Sequence, residues 1–195
     1  MKFSNLIKLG FLTAALATLS ACGTIKTMGN LEDGAGDTAM AMWDKWVDCE
    51  GEIACATTWE RKVEEGITPE DIEDALMSVA TERNIKPVGT LPLSDELKAR
   101  GVETGYLKVY SFCNPNTAKK MVDFAPHMGA YLPCRITVVE RKNPDTGKSE
   151  LWLYTLNMDM MVKMGKKLPP ELKKEAMDVR DTIWQMMEAG ATGDF

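Results

Sequence analysis

Sulfur is the element this chain offers most freely for chemistry. Five cysteines and 14 methionines stand against a single histidine. Met158, Met161 and Met164 recur at i, i+3 and i+6, which puts them on one face of a helix, with Met160 turned away. Soft thioethers select Cu(I) among biological metals, yet methionine is equally the adaptable filler of cores and binding surfaces. The face therefore reads either as packing or as a contact for a soft metal or an apolar ligand. Trp152, shortly before it, could add an aromatic wall. These four residues are the candidate binding set. His127 is too isolated for a histidine metal cluster or a Ser-His-Asp triad, and it follows Pro126 as an ordinary loop residue would. No phosphate-cradling glycine loop, nucleophile elbow or haem-attachment motif is present, so no catalytic residue or metal ligand set is assigned. No motif demands a cofactor; Cu(I) is the metal the thioethers would suit.

The first cysteine belongs to a leader. Lys2 and Lys8 precede an apolar or small run from Leu9 to Leu19, 11 residues long. A helix needs roughly 20 to cross a bilayer, so this is the core of a secretory signal and not an anchor. It ends Leu19-Ser20-Ala21-Cys22, which resembles the lipobox of bacterial lipoproteins. The resemblance implies cleavage after residue 21 and diacylglyceryl attachment to the Cys22 thiol. Several acyl chains would follow, and a single chain holds a protein only marginally. Gly23, where Asp would imply inner-membrane retention, points to the outer membrane, facing the periplasm.

Four cysteines remain: Cys49, Cys55, Cys113 and Cys134. An even number in an oxidising compartment reads as disulfides, with three pairings open. The short glycine-containing loop from Cys49 to Cys55 favours that pair. Cys113–Cys134 would then tie the end of one strand to the start of another across a helix. Each bridge would contribute about 2–4 kcal/mol if unstrained. The sharper alternative makes Cys113 and Cys134 a reactive or metal-binding dithiol, although neither a Cys-x-x-Cys spacing nor an adjacent histidine supports a tuned thiolate.

Charge excludes one class of partner. Without the leader the chain has 21 basic and 29 acidic residues, a net of −8. Nucleic acid requires concentrated Lys and Arg, and anionic headgroups would repel such a surface. Lys166, Lys167, Lys173 and Lys174 form the one basic edge, either solvated or able to dock an acidic partner.

These residues need elements to position them. Gly23 to Asp37 reads as a tether, followed by a short Trp- and Met-bearing helix from Asp37 to Asp48. Thr57 to Val63 alternates as a half-buried strand. Thr68-Pro69-Glu70-Asp71 opens a helix through Asn84, with Ile72, Leu76, Val79 and Ala80 at helical spacing. Ile85 to Leu93 is extended, and Pro87 and Pro92 keep it at an edge. Ser94 caps a brief helix to Arg100. A strand from Tyr106 to Phe112, a helix from Thr117 to Phe124, and a hairpin of Arg135–Arg141 with Leu151–Leu156 follow. Leu151 and Leu153 on one side, with Trp152, Tyr154 and Leu156 on the other, predict a sheet covered on both faces or lining a pocket. Met158 to Met164 is a short helix. Pro169-Pro170-Glu171 begins a long one, ending before Gly190. The predicted fold is therefore α+β: one small domain with helices on an antiparallel sheet and a long C-terminal helix. The divisions are a signal at 1–21, a lipidated tether and Trp/Met-rich segment at 22–56, and the α+β domain at 57–195.

Phe112-Cys113-Asn114-Pro115, Leu132-Pro133-Cys134-Arg135 and Tyr154-Thr155-Leu156-Asn157-Met158 together resemble the domain of unknown function 302 family, from about Thr57 onward. The resemblance implies an antiparallel sheet carrying helices, and it brings no catalytic residue with it. The expected function is a lipid-anchored periplasmic binding or accessory module enclosing an apolar site, more a binder than an enzyme. Its partners would be the membrane through the lipid anchor, and a small apolar ligand or an envelope protein. Two alternatives stand beside it: a thiol-redox protein using Cys113 and Cys134, and a structural envelope lipoprotein.

Overall fold

The computed structural model describes residues 26–27 and 29–194; the leader and Cys22 lie outside the described residues. Five strands form one antiparallel sheet in the order β1-β5-β4-β3-β2: β1 Thr58–Lys62, β2 Lys86–Leu91, β3 Leu107–Cys113, β4 Cys134–Lys142 and β5 Ser149–Leu156. The helices are α1 Ala35–Asp48, α2 Ile53–Ala56, α3 Pro69–Glu82, α4 Leu93–Ala99, α5 Pro115–Phe124, α6 Met158–Lys163 and α7 Pro170–Thr192, with a 3-10 turn at Pro126–Tyr131. The molecule is thus a single small α+β domain with a long C-terminal helix. Among the described residues no helix is long and apolar enough to cross a membrane.

Side-chain alternation along the strands decides which face is the core. The register sets Tyr110 opposite Ile136 and Val138 opposite Leu153, so these four point to one side, and all are fully buried. Helices α3 and α7 close that side with Ile72, Leu76, Ile183, Met186 and Met187. Met186 and Met187 are thereby core filler. Helix α3 starts as its sequence predicts. Thr68 Oγ1 accepts from the Asp71 amide at 3.2 Å while Asp71 accepts from the Thr68 amide at 2.9 Å, a complete capping box. Strand β2, with Pro87 and a bulge before Gly89, is exposed along its whole length at the edge.

The opposite sheet face is only partly covered. Trp152 is half-buried there, with the Arg141 guanidinium 4.6 Å from its ring and Tyr154 stacked at 6.4 Å. The bulk on both sides of β5 thus comes from helices on one side and from cross-strand cation and ring contacts on the other.

Three boundaries differ from the sequence reading. The tether does not extend to Asp37. Leu31 bridges to Lys166, and the buried Glu32 carboxylate accepts from the Leu168 amide at 2.9 Å and from Lys173 Nζ at 2.7 Å. A polar, glycine-containing segment hides this pairing because its partners lie far along the chain. Burial alone would raise the Glu32 carboxyl; Lys173 and the backbone amides of Leu168 and Asp33 outweigh it and hold it below its ordinary value. Ser94 is not a cap: α4 begins at Leu93 after Pro92, and Ser94 is buried. Nor does Gly190 end the last helix, which continues to Thr192 before Gly193 turns left-handed at φ 72°. A Cβ at Gly190 would stand 3.2 Å from Leu153 Cδ1 and 3.4 Å from Ile72 Cγ2, so this glycine serves the close approach of α7 to the sheet and α3.

Candidate functional site

One end of the sheet opens into an apolar pocket. Strand β3 finishes at Cys113, and Asn114 then caps α5, its Oδ1 accepting from the Thr117 amide at 3.3 Å, with Pro115 in the first turn. Strand β4 begins at Cys134. The register pairs Phe112 with Cys134, so the two cysteines stand one residue out of step at the same end of adjacent strands. Asn157 caps α6 by accepting from the Met160 amide at 3.2 Å, and this aims Met158 and Met161 at the same place. Helix α5 adds Met121, the 3-10 turn adds Met128, and Ala176 and Val179 of α7 form the floor. The pocket is partly open to solvent, its volume is about 50 Å³, and Asn114 and Thr117 are the polar residues in the wall.

Two thiols and four thioethers therefore share one small cavity. Cys113 and Cys134 are free, whereas Cys49, at the C-cap of α1, is joined to Cys55 in α2 with Cα atoms 6.3 Å apart. The Trp46 indole N–H donates to the Gly51 carbonyl at 2.7 Å and braces that bonded loop. The bridge expected between Cys113 and Cys134 is not closed in this structure, where both are free thiols. Cys134 faces Phe112 across the ladder, and the one-residue offset denies it Cys113 as its direct cross-strand partner. Burial pushes the Cys134 thiol up to about 11, and neighbouring Cys113 adds to the rise against the opposing pull of Arg135. Burial raises Cys113 as well. Both are therefore neutral thiols at neutral pH, the opposite of the lowered pKa that a thiol-redox nucleophile requires.

The proposed binding residues divide. Met158 and Met161 line the cavity. Met164 does not: α6 stops at Lys163, and Met164, as its C-cap, is 37 % exposed. Trp152 is also absent from the wall, because the neighbouring Leu153 takes the core-facing position and alternation turns Trp152 to the other face. His127 is exposed in the 3-10 turn. The basic edge is largely committed within the molecule: Lys173 pairs with Glu32, Lys174 with Asp178, and Lys166 lies 5.6 Å over the Phe124 ring. Sequence reasoning overlooked Met121 and Met128. Met121 falls one turn beyond Thr117 and Ala118 on the buried stripe of α5, a signal that was legible. Met128 sits in an irregular turn with no periodicity to expose it.

Among the described residues no three His, Cys, Asp or Glu side chains gather as a metal cage. The ionic clusters elsewhere are structural. Glu73, for instance, accepts from Lys108 Nζ at 2.5 Å and from the Tyr110 hydroxyl at 3.0 Å, which satisfies a buried phenol.

Fold and pocket together define a small single-sheet α+β domain with an apolar cavity at one sheet end. The chain belongs to the family described as "Domain of unknown function DUF302", which it matches over residues 59–190. It is similar in fold to the solved "uncharacterized conserved protein DUF302 from Bacillus stearothermophilus", with 17% sequence identity, 68% of this chain and 96% of that chain covered, and a TM-score of 0.52. No curated protein matches it.

Proposed function

We propose that this protein is a lipid-anchored periplasmic module that binds a compact apolar or soft ligand in the cavity between the sheet end and α5, α6 and α7. The observation that carries the reading is the wall itself: sulfur and aliphatic groups converge from β3, β4, α5, α6, α7 and the 3-10 turn on one small space. Its size limits the occupant. A water needs roughly 10–15 Å³ by this measure, so the space inside the wall takes a few atoms of an occupant. Methyl-resolved NMR tests the reading with xenon as the probe. The expected result is saturable shifts of the Met121 and Met161 methyls at one atom per chain; no shift at high xenon pressure removes the binding function.

Anchoring is supported by the leader's order and by α1. Met40, Trp43 and Val47 repeat at helical spacing and are more than half exposed, an apolar stripe a few residues after the tether that a bilayer surface would cover. Mass spectrometry of protein extracted from membranes should find Cys22 as the first residue, bearing acyl mass. An intact Met1 would leave a binding domain with no anchor.

A further inference from the structure

We infer that the cavity is a site for a single soft monovalent d10 cation, of the Cu(I) and Ag(I) class, held by a thiolate of the Cys113/Cys134 pair and by two or three of the thioethers of Met121, Met128, Met158 and Met161. This inference rests on the binding function proposed above and names its ligand.

Three physical arguments select that class. The first is donor chemistry. Six sulfur-bearing side chains line the space, and among the described residues no histidine or carboxylate joins them. Thiolate and thioether favour Cu(I)-like ions. Zinc sites draw on thiolate, imidazole and carboxylate, and calcium and magnesium require oxygen. The second is charge. An unpaired ion in an apolar cavity is strongly disfavoured. A monovalent cation with one thiolate is neutral, and thioethers complete the coordination without adding charge. A divalent ion would need both thiols deprotonated to reach neutrality, at the added cost of two adjacent thiolates in an apolar wall. The third is size. A space of about 50 Å³ suits an ion whose ligands are already its walls.

The state of the cysteines agrees. Cys49 and Cys55 are joined, while Cys113 and Cys134, at the same end of adjacent strands, are free thiols. Loading replaces one S–H bond by one sulfur–metal bond and releases that proton to solvent. Nothing is oxidised or reduced.

Silver is the suitable probe because it needs no reductant, so the Cys49–Cys55 bridge stays closed. Ag(I) would be titrated into the full chain carrying Cys22→Ser, in chloride-free buffer. The expected result is one equivalent bound, one proton released per ion, and an ultraviolet thiolate-to-silver band. In the Cys113→Ser/Cys134→Ser variant the band and the proton release should vanish. In Met121→Leu/Met161→Leu, which conserves volume and keeps the fold, affinity should fall by about tenfold or more. Undiminished silver binding in either double variant overturns the inference. Xenon NMR on the same samples separates the two readings. If xenon shifts the Met121 and Met161 methyls while silver is not bound, the metal site fails and the binding pocket stands. If neither binds, both fail.

Discussion

Phe112→Ala should lower the unfolding free energy by about 3–5 kcal/mol, a loss large enough to remove most of the stability of an ordinary domain. Phe112 is fully buried in β3, with Pro87 and Cys134 as its cross-strand neighbours, and it belongs to the cluster formed with α3 and α7. Truncation would remove its transfer free energy and leave a void that the sheet, bonded on both sides, cannot collapse to fill. The void would also open beside Cys134, so the pocket should loosen along with the core. Urea denaturation without reductant measures the effect, with Val88→Ala as the reference. Val88 is half exposed on edge strand β2, where substitution is worth no more than about 0.5 kcal/mol. Coinciding midpoints for the two variants would show that the sheet face assigned here is not the core.

Cys134 should react with iodoacetamide at pH 7 about a hundredfold or more slowly than the same residue in urea-unfolded chain. Its thiol is pushed from an ordinary 9.0 up to about 11 by burial, so the reactive thiolate is scarce. The rate should climb about tenfold per pH unit and keep climbing to about 11, whereas the unfolded thiol levels off near 9. The sign of the linked stability follows from the same shift. The folded state holds this proton more tightly, so the contribution is fully present below pH 9 and is lost between pH 9 and 11. Its size is on the order of 2–3 kcal/mol. Alkaline pH should therefore destabilise the fold and expose Cys134 in the same interval. Cys113 or Cys134 labelling at pH 7 as fast as in urea would revive the thiol-redox alternative and displace the neutral-thiol description.

The metal inference and this labelling experiment bear on each other. A cavity that keeps its thiols protonated discourages nucleophilic chemistry but does not prevent metallation, since the cation itself displaces the proton. Bound silver should therefore block alkylation of whichever cysteine supplies the thiolate.

Local chemistry was enough for the elements. The capping box at Thr68, the prolines of β2, and the turn at Asn143, whose Oδ1 accepts from the Asp145 amide at 2.9 Å and the Thr146 amide at 3.0 Å, act over a few residues, so their signals survive in a linear string. The α+β class, the edge position of β2 and the buried stripe of α3 were legible for that reason. The resemblance carried by Phe112-Cys113-Asn114-Pro115 and Leu132-Pro133-Cys134-Arg135 was likewise a local pattern. Strand register is not local. Phe112, and not Cys113, faces Cys134, so the sequence preference for a Cys113–Cys134 bridge could not be tested until the ladder was known. Met164 and Trp152 lie outside the cavity wall for related reasons. One helix ended a residue early, and one strand turned its indole away from the cavity. Composition alone thus established that this chain is rich in soft sulfur; tertiary packing decided which sulfurs meet, because convergence from β3, β4, α5, α6 and the 3-10 turn is a property of long-range contacts that no window of neighbouring residues contains.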